Sequence, residues 1–250
     1  ALAAAAPDVD WRALSKILVK SMGLKWSACT TQIEGGDSLA EYLAITARIN
    51  GIVLDLDLDM WQYLSRGDIV QKAVAGEVGS STMPHKVNPI RFENSEGNIA
   101  IANALLPVLS AKLTQSRMQR DLSGSTVQRN IGVALAHSYL ALQQTMQGLA
   151  RIDLDRGAAS RNVQAHPEVL AEAIQTILRA EGVADPYDLL RTLTRGTSLS
   201  IEDLHTWIDN LDLQDAAKMR LRTLKPEIYI GYAEAICADV VREARTWLNG

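Results

Sequence analysis

The chain has 250 residues, 47% hydrophobic and 22% charged, with a formal net charge of −4. These figures exclude the weakly hydrophobic, highly charged class that stays unfolded, and they leave room for one large core or two smaller ones. The acidic balance argues against a nucleic-acid scaffold or a polybasic membrane binder, so an anionic ligand must be held by a local cluster.

The two cysteines, Cys29 and Cys237, form no CxxC pair and stand near no histidine at metal-ligand spacing. A reduced cytosolic setting without a metal site is expected. The opening ALAAAAPDVDW has no basic leader, and no apolar run reaches a membrane span, so export and insertion are not expected. The absence of an initial methionine and the start in mid-pattern are what a processed chain or a fragment would show.

Trp11, Leu14, Ile17, Leu18 and Met22 recur at spacings of three and four before Gly23, which predicts a helix near residues 9 to 22. After the loop TTQIEGGD, Asp37 can cap a helix in which Leu39, Tyr42, Leu43, Thr46, Ile49, Val53, Leu56, Met60 and Tyr63 keep one face apolar to about Arg66. At 1.5 Å per residue it would run roughly 40 Å, a length suited to a bundle shared with other subunits. The run GEVGSSTMPHKVNP, residues 76–89, predicts a functional loop between helices.

Two more long helices are expected, one over Ile90 to Leu113 with a kink at Pro107 and one over about Ser125 to Ala150. Beyond Asp153 the breakers Pro167, Gly182, Pro186, Gly196 and Pro226 predict shorter helices. The expected fold is all-α: a bundle domain over residues 1–152 carrying the loop at 76–89, then a small helical domain over 153–250. Asp55, Asp57 and Asp59 should spread over the outer face of the long helix rather than bind metal, and the five tryptophans should pack.

The segment GSSTMPHKVNPIRFEN, residues 79–94, gathers two serines, a histidine, a lysine and asparagines on a loop that enters a helix. Such a loop can hold an anion: Lys86 brings a cation, Asn88 an amide, and Asn94 follows about a turn further on. A second cluster, Arg120, Ser125, Thr126 and Arg129, falls where a helix should begin, so free N–H groups, hydroxyls and guanidiniums can converge on a phosphate or carboxylate.

The loop closely resembles the shared GSSxMPxKxNP loop of the fumarase/aspartase superfamily; Gly79, Ser80, Ser81, Met83, Pro84, Lys86, Asn88 and Pro89 match every fixed position. TTQIE around Gln32, IRFENSEGN, and SRMQRDLSGSTVQRNIG over 116–132 narrow the resemblance to the adenylosuccinate lyases, in particular their bacterial purine-biosynthesis branch, from about Pro7 to Tyr229.

That resemblance implies elimination of fumarate from adenylosuccinate, giving AMP, and from the succinylated aminoimidazole carboxamide ribotide. It implies a serine base and a histidine acid, no metal or organic cofactor, and a cytoplasmic homotetramer whose active sites each collect loops from three subunits, with no nucleic-acid or membrane partner. Ser80 is then the base. Gln32, Ser81, Lys86, Val87, Asn88, Asn94, Arg120, Ser125, Thr126, Val127, Gln128 and Arg129 become substrate contacts. A free serine is a poor base, so Ser80 needs its alkoxide stabilised by loop N–H groups, the dipole of the following helix and Lys86.

The family's acid histidine lies on a threonine-histidine-glycine-glutamine type motif upstream of the serine loop. None of His85, His137, His166 and His205 stands in such a context. Roughly 200 residues would precede this chain in a family member, and the chain alone is expected to be inactive. Another superfamily lyase, or a non-catalytic helical scaffold of the lens-crystallin kind, is the rival expectation; intact Ser80, Lys86 and Asn88 favour the enzyme.

Overall fold

The computed structural model describes residues 1–72, 88–194 and 200–250. They fall into two units: residues 1–62 with the described part of 78–151, and the described part of 63–77 with residues 152–250.

In the first unit a short helix α1 (Leu2–Ala5) precedes α2 (Trp11–Ser21). The Asp10 carboxylate accepts the N–H groups of Arg12 and Ala13 at 3.1 and 3.0 Å, which fixes where α2 begins. Helix α3 (Asp37–Arg66) follows Gly36, whose φ of +76° suits glycine and whose carbonyl accepts the Ala40 N–H at 2.9 Å.

The face of α3 that the chain covers is only partly the one its apolar residues mark: Leu43 is buried as expected. Leu39, Tyr42, Ile49 and Leu56 are exposed, whereas Ala40, Leu43, Asn50 and Asp57 are buried. The buried positions recur at the period of a helix packed on helices; Leu43 is one of the expected apolar residues, but Ala40, Asn50 and Asp57 are small or polar, and a hydrophobicity pattern passes over them.

Helix α4 (Ile90–Leu113) has the expected span with Pro107 inside it. The next expected helix is instead two, α5 (Ser123–Gln128) and α6 (Ile131–Leu149). α4 and α6 pack along their lengths, and Leu43, Ala102, Leu106, Leu109 and Ala134 form the core between them and α3. Polar groups cross the same interior. Asn50 Nδ2 donates to Asn103 Oδ1 at 2.9 Å and to Ser138 Oγ at 2.8 Å, and Ser110 Oγ donates to the Ala40 carbonyl at 2.8 Å.

Asp57, expected on the outer face, is instead buried at 1% exposure. Thr145 Oγ1 donates to its two carboxylate oxygens, at 2.8 and 3.1 Å, and lies 2.9 Å from Ser95 Oγ. Loss of water raises the pKa of this carboxyl; hydrogen bonds from Ser95 and Thr145 oppose the rise, and nearby Glu96 adds to it. An acid whose folded pKa exceeds its unfolded value destabilises the fold above the folded value, and the penalty fades as pH falls towards the unfolded value near ~3.9. Asp57→Asn should therefore be more stable than the wild type in urea at pH 7, with the gain vanishing at about pH 3.5. A gain unchanged at the lower pH would contradict this.

The second unit opens with β1 (Ile69–Gln71), antiparallel to β2 (Ile152–Leu154) with Val70 opposite Asp153. Three-residue strands are too short to show an alternating pattern, so the ribbon had no sequence signal. Asp68, just before β1, accepts from Asn162 Nδ2 at 2.6 Å, and Arg66 Nε lies 3.1 Å from its other oxygen.

Short helices follow: α7 (Arg156–Gln164), a 3-10 turn (Pro167–Leu170), α8 (Ala171–Ala180), α9 (Pro186–Thr194), α10 (Ile201–Asp209), α11 (Asp215–Arg222), a second 3-10 turn (Pro226–Ile228) and α12 (Ala233–Asn249). Leu170, Ile174, Leu178, Leu204, Ile208 and Leu221 are the centre of their core. Trp207 packs on it as expected, but Trp61 and Trp247 are exposed, contrary to expectation. Helix α12 buries none of its residues. No described helix is long and apolar enough to cross a membrane.

Candidate functional site

Ser80, Ser81, Lys86 and Val87 lie outside the described residues, as does most of the expected loop. Asn88 is half-buried next to Pro89, whose carbonyl accepts the N–H groups of Phe92 at 3.0 Å and Glu93 at 3.2 Å and so starts α4. Asn94 follows in the second turn, exposed. Asn98 Nδ2 donates to Asn94 Oδ1 at 2.9 Å and to its carbonyl at 2.8 Å, and His137 Nδ1 on α6 lies 2.8 Å from Asn98 Oδ1. Glu93 Oε1 accepts from Trp61 Nε1 of α3 at 3.2 Å.

Three helices thus build a polar shelf of which only Asn94 was foreseen. The i,i+4 spacing of Asn94 and Asn98 was the available signal for Asn98. His137 reaches the shelf from a different helix and had none.

The second cluster differs from expectation. α5 begins at Ser123, so Ser125 and Thr126 stand inside it rather than at its start. Asp121 occupies that end: its Oδ1 accepts the Ser123 N–H at 3.0 Å and the Ser123 hydroxyl at 2.6 Å, and Arg117 lies 3.1 Å from its Oδ2. The Ser123 hydroxyl is the main cause that pulls the Asp121 pKa down to about 2. A permanently charged carboxylate at this end opposes a second anion there.

Ser125 Oγ donates to the Leu122 carbonyl at 2.8 Å, and Val127 packs against the Leu43 to Ala134 core. Thr126, Gln128, Arg120 and Arg129 are exposed, and neither arginine makes an ion pair among the described residues. An anion at this cluster would therefore meet the guanidiniums rather than helix N–H groups. Gln32 is exposed in the coil ahead of Gly36.

The two clusters are apart. Val127 packs with Leu106 and its neighbours, and Gly36 lies against the carbonyl of Leu113, the last residue of α4. Asn94 precedes Leu106 by 12 positions on the same helix, a rise of about 18 Å at 1.5 Å per residue. Gln32 and the Arg120 to Arg129 segment therefore belong to one end of α4, and Asn88 and Asn94 to the other. One chain does not bring both groups to a single carboxylate. Among the described residues no three side chains are grouped to hold a metal ion. Two cavities in the second unit, of about 480 and 630 Å³, are lined by none of these residues.

A family profile described as "Lyase" matches residues 2–103, and one described as "Adenylosuccinate lyase C-terminal" matches residues 116–230. Over 230 residues the chain is 46% identical to adenylosuccinate lyase of Escherichia coli (strain K12), a match that covers 92% of this chain and 50% of that protein. Along 92% of its length the chain is thus similar to an adenylosuccinate lyase. Its identity to the family member of Legionella pneumophila (strain Corby) is 48% over 230 residues, again 92% of this chain and 50% of the relative. The chain thus spans about half the length of the curated relatives it matches.

Among solved structures, the 3-carboxy-cis,cis-muconate lactonizing enzyme from Pseudomonas putida superposes with a TM-score of 0.74 at 22% identity, over 99% of this chain and 56% of that one. A fumarate lyase:delta crystallin from Brucella melitensis gives 0.57 at 18% identity, over 82% and 44%. At these identities the likeness concerns the fold, which is all-α as expected. Gln32, Asn88 and Asn94 fall in the first profile, Arg120 and Arg129 in the second.

Proposed function

We propose that this chain is part of a cytoplasmic, homotetrameric lyase that eliminates fumarate from adenylosuccinate and from the succinylated aminoimidazole carboxamide ribotide. Ser80, as its alkoxide, takes the proton from the carbon next to a succinyl carboxylate. Lys86, Asn88 and Asn94 hold the dianionic intermediate. The carbon–nitrogen bond then breaks, its electron pair leaves with nitrogen, and a histidine outside this sequence protonates that nitrogen. Arg120 and Arg129 bind the nucleotide phosphate or a carboxylate.

The observation that carries this reading is the unbroken run GSSTMPHKVNP in a chain 46% identical to the Escherichia coli enzyme across 92% of its length. Two features support the shared site. The clusters lie towards opposite ends of α4, which suits contributions from different chains, and α3 keeps a second apolar face, including Leu39, Tyr42, Ile49 and Leu56, uncovered.

The test is a substrate panel with the full-length protein. Fumarate should appear from adenylosuccinate and the succinylated ribotide, and not from argininosuccinate or malate; the reverse pattern would replace this reading with another lyase. Arg129→Ala should raise KM for adenylosuccinate at least about tenfold and lower kcat much less, since it removes binding common to ground and transition states. An unchanged KM would remove Arg129 from the site.

A further inference from the structure

We propose that Asn98 and His137 are positioning residues: together they orient the Asn94 amide so that its two N–H bonds face the substrate's carboxylate. This rests on the reading of Asn94 as a substrate contact. Asn98 donates both to the Asn94 carbonyl, at 2.8 Å, and to Asn94 Oδ1, at 2.9 Å. Its own Oδ1 lies 2.8 Å from His137 Nδ1. An amide oxygen only accepts, so His137 presents Nδ1 with its hydrogen, and this in turn keeps Asn98 Nδ2 turned towards Asn94.

The consequence is a fixed polarity. With Asn94 Oδ1 engaged, Asn94 Nδ2 is left as the outward group, and among the described residues it has no partner. It is a donor only, which suits an anion and repels a cation or a metal. The ladder runs from half-buried His137 through half-buried Asn98 to exposed Asn94, so the interior ties down the orientation of a surface group. Free asparagine amides turn over readily. Pre-setting this one removes an ordering cost from binding.

The test uses steady-state kinetics and thermal unfolding of the full-length lyase with adenylosuccinate. Asn94→Ala should raise KM about tenfold with kcat within about threefold. Asn98→Ala should raise KM at least about fivefold, and the Asn94→Ala/Asn98→Ala pair should be no worse than Asn94→Ala, because Asn98 acts only through Asn94. His137→Phe should raise KM about threefold, whereas His137→Gln, which retains an N–H donor, should stay near wild type.

The contrast between the two His137 variants holds even if Asn98→Ala lowers Tm, since a merely structural role would not separate them by KM at equal Tm. If Asn94→Ala raises KM while Asn98→Ala and His137→Phe do not, or if the double variant is additive, the ladder is overturned and Asn94 remains a contact. If Asn94→Ala leaves KM unchanged, both fall.

Discussion

Replacing Ser80 by alanine in the full-length protein should lower kcat at least about a hundredfold while KM for adenylosuccinate changes little. The substitution deletes one hydroxyl and leaves the proposed contacts Lys86, Asn88, Asn94 and the two arginines unchanged. If Ser80 takes the proton, its loss removes a group that acts in the transition state and not one that holds the ground state, so the effect belongs in kcat. Near-normal turnover would sink the assignment of the base and direct attention to Ser81 or to a group outside this sequence.

Gly148→Ala should be a strongly damaging single-methyl change in the described core of the first unit. The Phe92 ring lies so close to α6 that a Cβ at Gly148 would stand 2.8 Å from two of its carbons, and Phe92 is itself only 1% exposed. Overpacking of this kind costs about 1–3 kcal/mol, which should appear as a Tm lower by several degrees. Phe92→Leu combined with Gly148→Ala should cost less than the sum of the two single changes, because the smaller side chain relieves the clash. Strict additivity would show that ring and glycine do not meet. Since α4 carries Asn94 at its start and packs on α6 here, Gly148→Ala should also raise KM, and a Tm loss without any kinetic effect would show that the shelf tolerates the shift.

What the sequence made legible was set by the physics of each signal. Long helices with strong punctuation were readable: α3 was expected to end at Arg66 and α4 to span Ile90 to Leu113, and both do. The inward face of α3 was not, because Ala40, Asn50 and Asp57 bury themselves through small size and hydrogen bonds, whereas the pattern ranks residues by apolarity. Asp57 was placed outward on charge alone, and its partners Thr145 and Ser95 come from helices far along the chain.

The chemistry-bearing residues followed the same division. Asn88, Asn94, Arg120 and Arg129 could be singled out because each stands in a dense local run. His137 could not, since its contact with Asn98 spans 39 positions, and Asn98 offered only its i,i+4 spacing to Asn94. α5 starts two residues before Ser125, where Asp121, one position before the Leu122 cap, accepts from the N–H and hydroxyl of Ser123.

The most direct measurement is fumarate release from adenylosuccinate, followed by absorbance, with this 250-residue chain alone and again after it is combined with the upstream half of a family member. The account predicts no release from the chain alone and restored formation of fumarate and AMP in the combined protein, because it draws the serine base and the arginines from this chain and the acid from the upstream half. Full turnover by the chain alone would contradict the composite site, and no turnover in a combination that assembles would contradict the lyase itself.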